Sequence, residues 1–502
     1  MEAVPLALAP LLLLFALLVG ARWPAAAAGA ASAVVAGLIA VLGFGYGGED
    51  GLLPALAGPL LEALFLALTI LWIVCPALAI HAYQTRSGAI GVLERWIGGL
   101  GTDRRMAALM VAWFFALFLE GAAGFGTPVA LAAPILVGLG FSPVRALSLA
   151  LIGHAIGVSF GAIGTPMVPL LEASALEPRA LSATVMGLHA ALGWMMTASV
   201  YHLAAAEPGA SSAGSALARV ASAWLFFALP GLAIAWAVGP ELPTLAGALL
   251  GGLAFVALVR RQSLPGHSAG GPAARELLAS AAPYVAVLLL VLLTRLLAPL
   301  QEILRSVRIE WTFAGAFGGT MEPLYHPGTI LFAGLLITGA MRRGGMVDIA
   351  RAALGAAARL PMVATALVAV LLLARLMIHA GMIDTLAAAA AEALGSSWAL
   401  LAPAAGALGS FVTGSATASN ILLGSFQQAT AAATGIPPLL VIAAQGFGAA
   451  VGNIIAPHNI VAGAATVGLV GREGEVLQRT LPAFLLYVTA GGLLVHGLSL
   501  VS

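Results

Sequence analysis

The residues of this chain that could do chemistry gather at two pairs of glycine-rich breaks in otherwise apolar runs. FLEGAAGFGTP (residues 118–128) is followed downstream by GAIGTP (161–166), and FVTGSATASN (411–420) is followed at a similar interval by GNIIAPHN (452–459). A broken helix in hydrocarbon frees N–H and C=O groups that must find partners. Paired interruptions at matching places in two halves are the sequence mark of a secondary transporter's binding site. N–H groups at the starts of half-helices hold an anion well, because the helix dipole points positive charge at it. Thr127 and Thr165 each place a capping hydroxyl before a proline that needs no N–H, and Gly124 and Gly126 let backbone approach a ligand. Ser415, Thr417, Ser419, Asn420 and Asn459 offer hydroxyl and amide contacts at the second pair. Together these residues form the candidate substrate site. The competing reading is that small residues merely let helices pack closely, their commonest use in membranes.

Coupling to protons needs a group that titrates within the membrane. Glu120 stands at the edge of the first tip, and intramembrane carboxylates are rare and usually functional; its structural alternative is a cap or a salt bridge to a loop arginine. His154, between the first tip and GAIGTP, and His458, at the last break, are the other candidates, each with packing through a hydrogen bond as its alternative. Arg375 and His379 fall one turn apart on one helix face. Arg375 could clamp a substrate carboxylate, snorkel to the outer interface, or pair with Glu322 or Asp384.

The elements that must position these residues are membrane spans. Of 502 residues 61% are hydrophobic and 8% charged, with mean hydropathy +1.06, whereas a soluble domain carries roughly a quarter charged residues. A net charge of +1 points to no nucleic-acid partner, and the single Cys75 excludes a disulfide within the chain. All 21 basic residues are arginine. Without lysine the chain has neither a Walker-A ATPase nor a Schiff base to drive transport. The N-terminal apolar run has Glu2 where a signal peptide has positive charge, and reads as a retained span with its N-terminus outside.

Apolar runs set against breaks give an all-α integral membrane protein of about twelve spans plus two re-entrant hairpins, 105–140 and 397–435. The organisation expected is N-terminal accessory helices (1–56), a first half (57–259), a cytoplasmic linker (260–278) and a second half (279–502). One span is expected over 313–340, and QEILRSVRIEW (301–311) reads as an amphipathic segment at the outer surface. This layout puts sixteen of the 21 arginines inside, leaves Arg179, Arg295, Arg305 and Arg308 outside, and places Arg375 within a span. It also makes the hairpins enter from opposite sides, as an inverted repeat requires.

In FLEGAAGFGTPVALAAPILVGLGF with FGAIGTP, and in FVTGSATASN with AATVGLVGREG (464–474), the chain resembles the lactate permeases. GPELP (239–243) and GTILFAGLL (328–336) also match that family, and the resemblance spans roughly residues 57 to 480. It implies a multi-pass symporter of the cytoplasmic (inner) membrane that takes up lactate, glycolate and related 2-hydroxy monocarboxylates with protons. More distantly the chain is similar to the ion-transporter superfamily, which moves a substrate-bearing domain as an elevator against a fixed scaffold; that scaffold implies a homodimer. The chain departs from the family pattern at Ala416, where an acidic or amide residue is expected, and at Arg375 and His379, which replace neutral residues. These departures bear on substrate and coupling ion.

The resulting expectation is a secondary transporter in the lipid bilayer, with no cofactor, no metal and no catalytic residues. The alternative within the class is a sodium-coupled or dicarboxylate carrier, since tip carbonyls with Ser and Asn oxygens suit Na+. A passive channel is disfavoured by inverted broken helices. An intramembrane enzyme lacks its cluster, because Glu62, Glu120 and Glu322 are widely spaced.

Overall fold

The computed structural model describes residues 3–501 apart from 22, 49–50, 99–102, 125, 206–212, 263–272, 342–344, 359 and 470–471. Helices dominate because a segment in hydrocarbon must satisfy its backbone internally. In chain order the first are α1 (Ala3–Phe15), α2 (Ala25–Phe44), α3 (Leu52–Arg86) and α4 (Ala89–Gly98). Next come α5 (Arg104–Ala122) and α6 (Thr127–Gly138), the two arms of the first hairpin. The first broken span is α7 (Pro143–His154), a 3-10 segment (Ala155–Phe160) and α8 (Met167–Ser174). α9 (Pro178–Leu192), α10 (Trp194–Leu203), α11 (Ala213–Ala237) and α12 (Pro243–Gln262) complete this half.

The second half opens with α13 (Ala274–Leu296) and α14 (Ala298–Arg305), then the strands β1 (Ile309–Phe313) and β2 (Phe317–Met321). It continues with α15 (Pro327–Ala340), α16 (Gly345–Ala357), α17 (Leu360–His379) and α18 (Met382–Leu394). The second hairpin is α19 (Trp398–Thr413) and α20 (Ala416–Thr434); the second broken span is α21 (Pro438–Gly452) and α22 (Pro457–Thr466), followed by α23 (Glu473–Ser499). Among the described residues, eleven helical stretches are long and apolar enough to cross a membrane, or twelve when α9 and α10, bent by 44°, count as one. This is a multi-pass membrane fold.

One stretch departs from the expected layout. Residues 313–340 are not one span but the end of an antiparallel hairpin followed by the short α15. The cause is local: Ala314 and Gly315 take positive φ (51° and 70°) in the turn, and Ile309 pairs with Met321 across it. The amphipathic segment at 301–311 is α14, with no buried residue, running into β1. The core of the expected linker, 263–272, lies outside the described residues.

Two apolar clusters hold the helices. The larger joins the C-terminal part of α3, α5–α13, α15, α16 and α19–α23. The smaller joins α1, α2, α3, α17 and α18 and reaches α20 through Ile421, Leu422 and Leu423. Charge is sorted by end: Arg145 feels both Arg104 and Arg479, while Arg295 and Arg305 stack on Tyr325 at 3.6 and 4.3 Å. That sorting matches the two sides assigned from arginine bias.

The start of α12 clamps the first broken span. Thr244 Oγ1 donates to the Gly157 carbonyl at 2.8 Å, and Gly121 lies against Leu245 backbone. Gly164, at φ 80°, lies against the Pro240 carbonyl. Gly164→Val would set a β-branched side chain at positive φ against that carbonyl, at a cost of about 2–4 kcal/mol. Its expected outcome is a lower melting temperature and loss of the monodisperse size-exclusion peak. A Cβ at Gly187 meets nothing within 4 Å, so Gly187→Ala is expected to leave both measurements unchanged.

Candidate functional site

Four half-helices start in the middle of the fold: α6 and α20 after the hairpin tips, α8 and α22 after the breaks. They are brought together in crossed pairs. α20 packs on α8 in parallel register: Asn420 Nδ2 donates to the Pro166 carbonyl at 2.8 Å, and about one turn on Gly424 faces Pro169, Leu170 and Ala173. α6 packs on α22, where Gly463 lies against Val129. Each tip also abuts the break of its own half. A Cβ at Gly124 would stand 3.1 Å from Ala162 Cβ, and one at Gly414 would stand 3.0 Å from His458 Cβ. The first N–H groups of each half-helix have no acceptor inside their own helix, so this centre collects backbone donors and positive dipole ends. No arginine occurs in residues 118–128, 161–166, 411–420 or 452–459. The site therefore offers an anion backbone rather than a fixed countercharge.

The candidate side chains separate into committed and uncommitted groups. Ser419 donates to the Gly406 carbonyl at 2.7 Å and accepts from Gln445 Nε2 at 3.1 Å. Asn420 holds Pro166 through its amide N–H while its Oδ1 accepts from Gln445 Nε2 at 3.2 Å. Thr165 returns its proton to the Ala162 carbonyl at 2.6 Å, and Asn459 donates to the carbonyl and the side-chain oxygen of Asn453. Ser419 and Asn420 tie the second tip to the broken spans, while Thr165 and Asn459 close their own breaks. Ser415 caps α20, accepting from the Ala418 N–H at 3.3 Å. Thr417 is buried and makes no hydrogen bond to the described residues; Gly126, at φ 79°, is exposed at the start of α6, and His458 is exposed at the start of α22. The side chain of Thr127 lies outside the described residues. Gln445, which sequence reasoning missed, is the hub; a glutamine inside an apolar run was its signal.

Glu120 is buried in the last turn of α5, and its Oε2 lies 4.0 Å from His154 Nε2. His154 Nδ1 is 2.6 Å from the Ala150 carbonyl. A carbonyl only accepts, so Nδ1 carries the hydrogen and Nε2 is the position facing Glu120 that can gain one. Gly161 leaves the room that the Glu120 carboxyl occupies, since a Cβ there would collide with Oε1. Next to it Ala162 and Ile163 are held at φ 42° and 55°; left-handed backbone at a β-branched residue is strained, and such strain gathers at functional sites. His458 lies at the other break and has no part in this pair.

The L-lactate permease family matches residues 4–501. This chain belongs to that family. It is 30% identical over 398 residues to the L-lactate permease of Streptococcus iniae, covering 78% of this chain and 82% of the relative. It is 27% identical to the L-lactate permease of Bacillus subtilis (95% and 92% covered) and to the glycolate permease GlcA of Escherichia coli K12 (97% and 94%). Its fold is similar to that of the YdaH transporter of Alcanivorax borkumensis, with TM-score 0.50 at 18% identity over 89% and 88% of the two chains.

In this permease Arg375 pairs with neither Glu322 nor Asp384. Its Nε lies 3.7 Å from Glu62 Oε2, while Glu322 faces Arg305 at 3.5 Å. His379 Nε2 also meets Glu62 Oε2, at 2.8 Å, and the Gly318 N–H of the strand hairpin donates to Glu62 Oε1 at 3.3 Å. The spacing of Arg375 and His379 showed that they share a face; their partner comes from α3, a long-range contact that spacing does not encode. Asn420→Ala would leave the Pro166 carbonyl without its donor and Gln445 short of an acceptor, a loss of about 1–3 kcal/mol. The expected outcome is a lower melting temperature in detergent, with Gln445→Leu similar and the double variant less than additive.

Proposed function

We propose that this protein is a secondary active transporter that takes up small 2-hydroxy monocarboxylates, L-lactate and glycolate, with protons across the cytoplasmic membrane. The observation that carries the reading is the convergence of four half-helix starts at two tips and two breaks, in a chain whose relatives are permeases for lactate and glycolate. The carboxylate is taken by N–H groups at the starts of α6, α8, α20 and α22, and the 2-hydroxyl by Thr417 or Ser415. Glu120 with His154 Nε2 carries the proton. Protonation neutralises the carboxylate beside the anion site, so the anion binds better when the proton is present and the pair crosses without net charge.

Alternating access on this reading is elevator-like. The tips and breaks travel as a body against a scaffold built on α1–α3, α17 and α18, whose apolar cluster meets that body at Ile421, Leu422 and Leu423 of α20. A homodimer would hold such a scaffold still. The two halves, 57–259 and 279–502, supply one hairpin and one broken span each.

The test is radiolabelled L-lactate uptake into proteoliposomes under an inward proton gradient, an inward sodium gradient, or neither. Stimulation by protons alone, rising as external pH falls and competed by glycolate, is the expected result. Stimulation by sodium alone would overturn proton coupling, and absence of uptake under every gradient would overturn the substrate class. Glu120→Gln cannot carry the proton. It is expected to cut proton-driven accumulation by about tenfold or more while lactate exchange across the membrane persists. An unchanged pH profile would return Glu120 to a structural role.

A further inference from the structure

We propose that Arg375 and Glu172 form an outer carboxylate subsite on the way to the tips, in which a proton on Glu172 admits the anion. The inference rests on the monocarboxylate:proton reading and adds a place where the anion binds beside a protonated carboxyl before the tips.

A cavity of about 30 Å³ lies between α3 and α17 on one side and α8 and α20 on the other, lined by Leu66, Pro169, Glu172, Arg375, Ile421 and Ser425. That is room for about two waters, or the two oxygens of one carboxylate. Glu62, the nearest acid to Arg375, is already satisfied: His379 takes Oε2 at 2.8 Å and the Gly318 N–H takes Oε1 at 3.3 Å. At 3.7 Å the Arg375 Nε makes an ion contact with Glu62 but no hydrogen bond. A five-donor fork thus lines the cavity without a hydrogen-bonded acceptor among the described residues, and a planar carboxylate is the partner that fits it.

Glu172 lines the same cavity from α8. The charges that act on it are Arg375 and Glu62; α20 and α21, packed against α8, carry no ionisable side chain. His379 enters only through Glu62. With Glu172 ionised, the cavity beside Arg375 already faces two carboxylates, Glu62 and Glu172, and a third meets repulsion. A proton on Glu172 removes that charge and leaves Arg375 to the incoming anion. Glu172 stands six residues past Pro166, about 9 Å along α8 from the break, on the side that arginine bias assigns to the exterior. The anion therefore binds beside a protonated Glu172, one to two turns outside the tips; when it moves on, Glu172 returns that proton to the exterior and Glu120 carries the coupled one. The α3 and α17 wall belongs to the smaller apolar cluster and α8 to the half-helix pair, so the subsite straddles the proposed sliding boundary and comes apart when the substrate moves inward.

The experiment measures L-lactate binding calorimetrically on the full-length protein in detergent at pH 5.5 and 8.0, and initial uptake rates over the same range. Wild type is compared with Arg375→Gln, Arg375→Lys and Glu172→Gln, each first shown monodisperse. Arg375→Gln is expected to weaken binding and raise KM about tenfold or more, with kcat changed by less than about twofold. Arg375→Lys, which keeps the charge and loses the fork, is expected to fall between. Glu172→Gln is expected to keep the acid-pH affinity and to lessen its decline at pH 8.0, the remainder being the part that Glu120 sets. An unchanged KM in Arg375→Gln, or an alkaline decline as steep in Glu172→Gln as in wild type, overturns the subsite. Proton-driven uptake with an Arg375-independent KM overturns it while the transporter reading stands. Arg375-dependent carboxylate binding without proton-driven uptake overturns the transporter reading and leaves the subsite, and no binding of lactate at either pH overturns the subsite.

Discussion

A helix end in hydrocarbon leaves N–H groups with nothing to bind, and this fold brings four such ends to its centre. Everything around them meets that constraint. The two halves answer it differently. In the first, α12 supplies the support: Thr244 holds the Gly157 carbonyl, while glycines at 121 and 164 let backbone lie against Leu245 and Pro240. In the second, a chain of amides does the work. Trp398 donates to Gln427 at 2.8 Å, Gln427 donates to Gln445 at 3.1 Å and to the Ala402 carbonyl at 3.0 Å, and Gln445 reaches Ser419 and Asn420. Asn420 then crosses to Pro166 and locks the second half onto the first. Caps take part of each start, as Ser415 does for the Ala418 N–H and the Ala456 carbonyl for the Asn459 N–H, and the first N–H groups ahead of them are what an anion needs.

The split between committed and uncommitted groups gives the site its character. A fixed arginine among the tips would hold a carboxylate tightly and hinder its release. Backbone dipoles bind it moderately and cost no reorganisation. The titratable pair Glu120–His154 sits behind the first tip, where a proton changes the local field by one charge without blocking the anion. The arginine that the chain does place within a span, Arg375, stands aside from the tips, beside Glu62, which His379 also holds.

Much of this was legible in the sequence, and for physical reasons. Glycine-rich breaks in apolar runs have few other uses in a membrane, and helix pairs that turn at such breaks lie at 104–138 and 398–434, where hairpins were expected at 105–140 and 397–435. Arginine bias oriented them oppositely, and the parallel register of α8 with α20 agrees with that orientation. The strand hairpin at 309–321 escaped because Phe313 and Ala314 look apolar enough to open a span, while the positive φ that bends the chain there is a property of the fold. Glu62 was visible as an intramembrane acid, but its pairing with Arg375 and His379 joins residues over 300 positions apart. Ser419 and Asn420 looked like ligand donors by type. Their commitment to Gly406, Pro166 and Gln445 depends on which carbonyls tertiary packing leaves open.

The central claim is that the starts of α6, α8, α20 and α22 together hold the substrate carboxylate. The most direct measurement is a cryo-electron-microscopy map of the full-length protein with saturating L-lactate, compared with a map without it. Added density within hydrogen-bond distance of backbone N–H groups at Thr127, Met167, Thr417 or His458 is the expected result. Density elsewhere, with these four starts unchanged between the two maps, would contradict it.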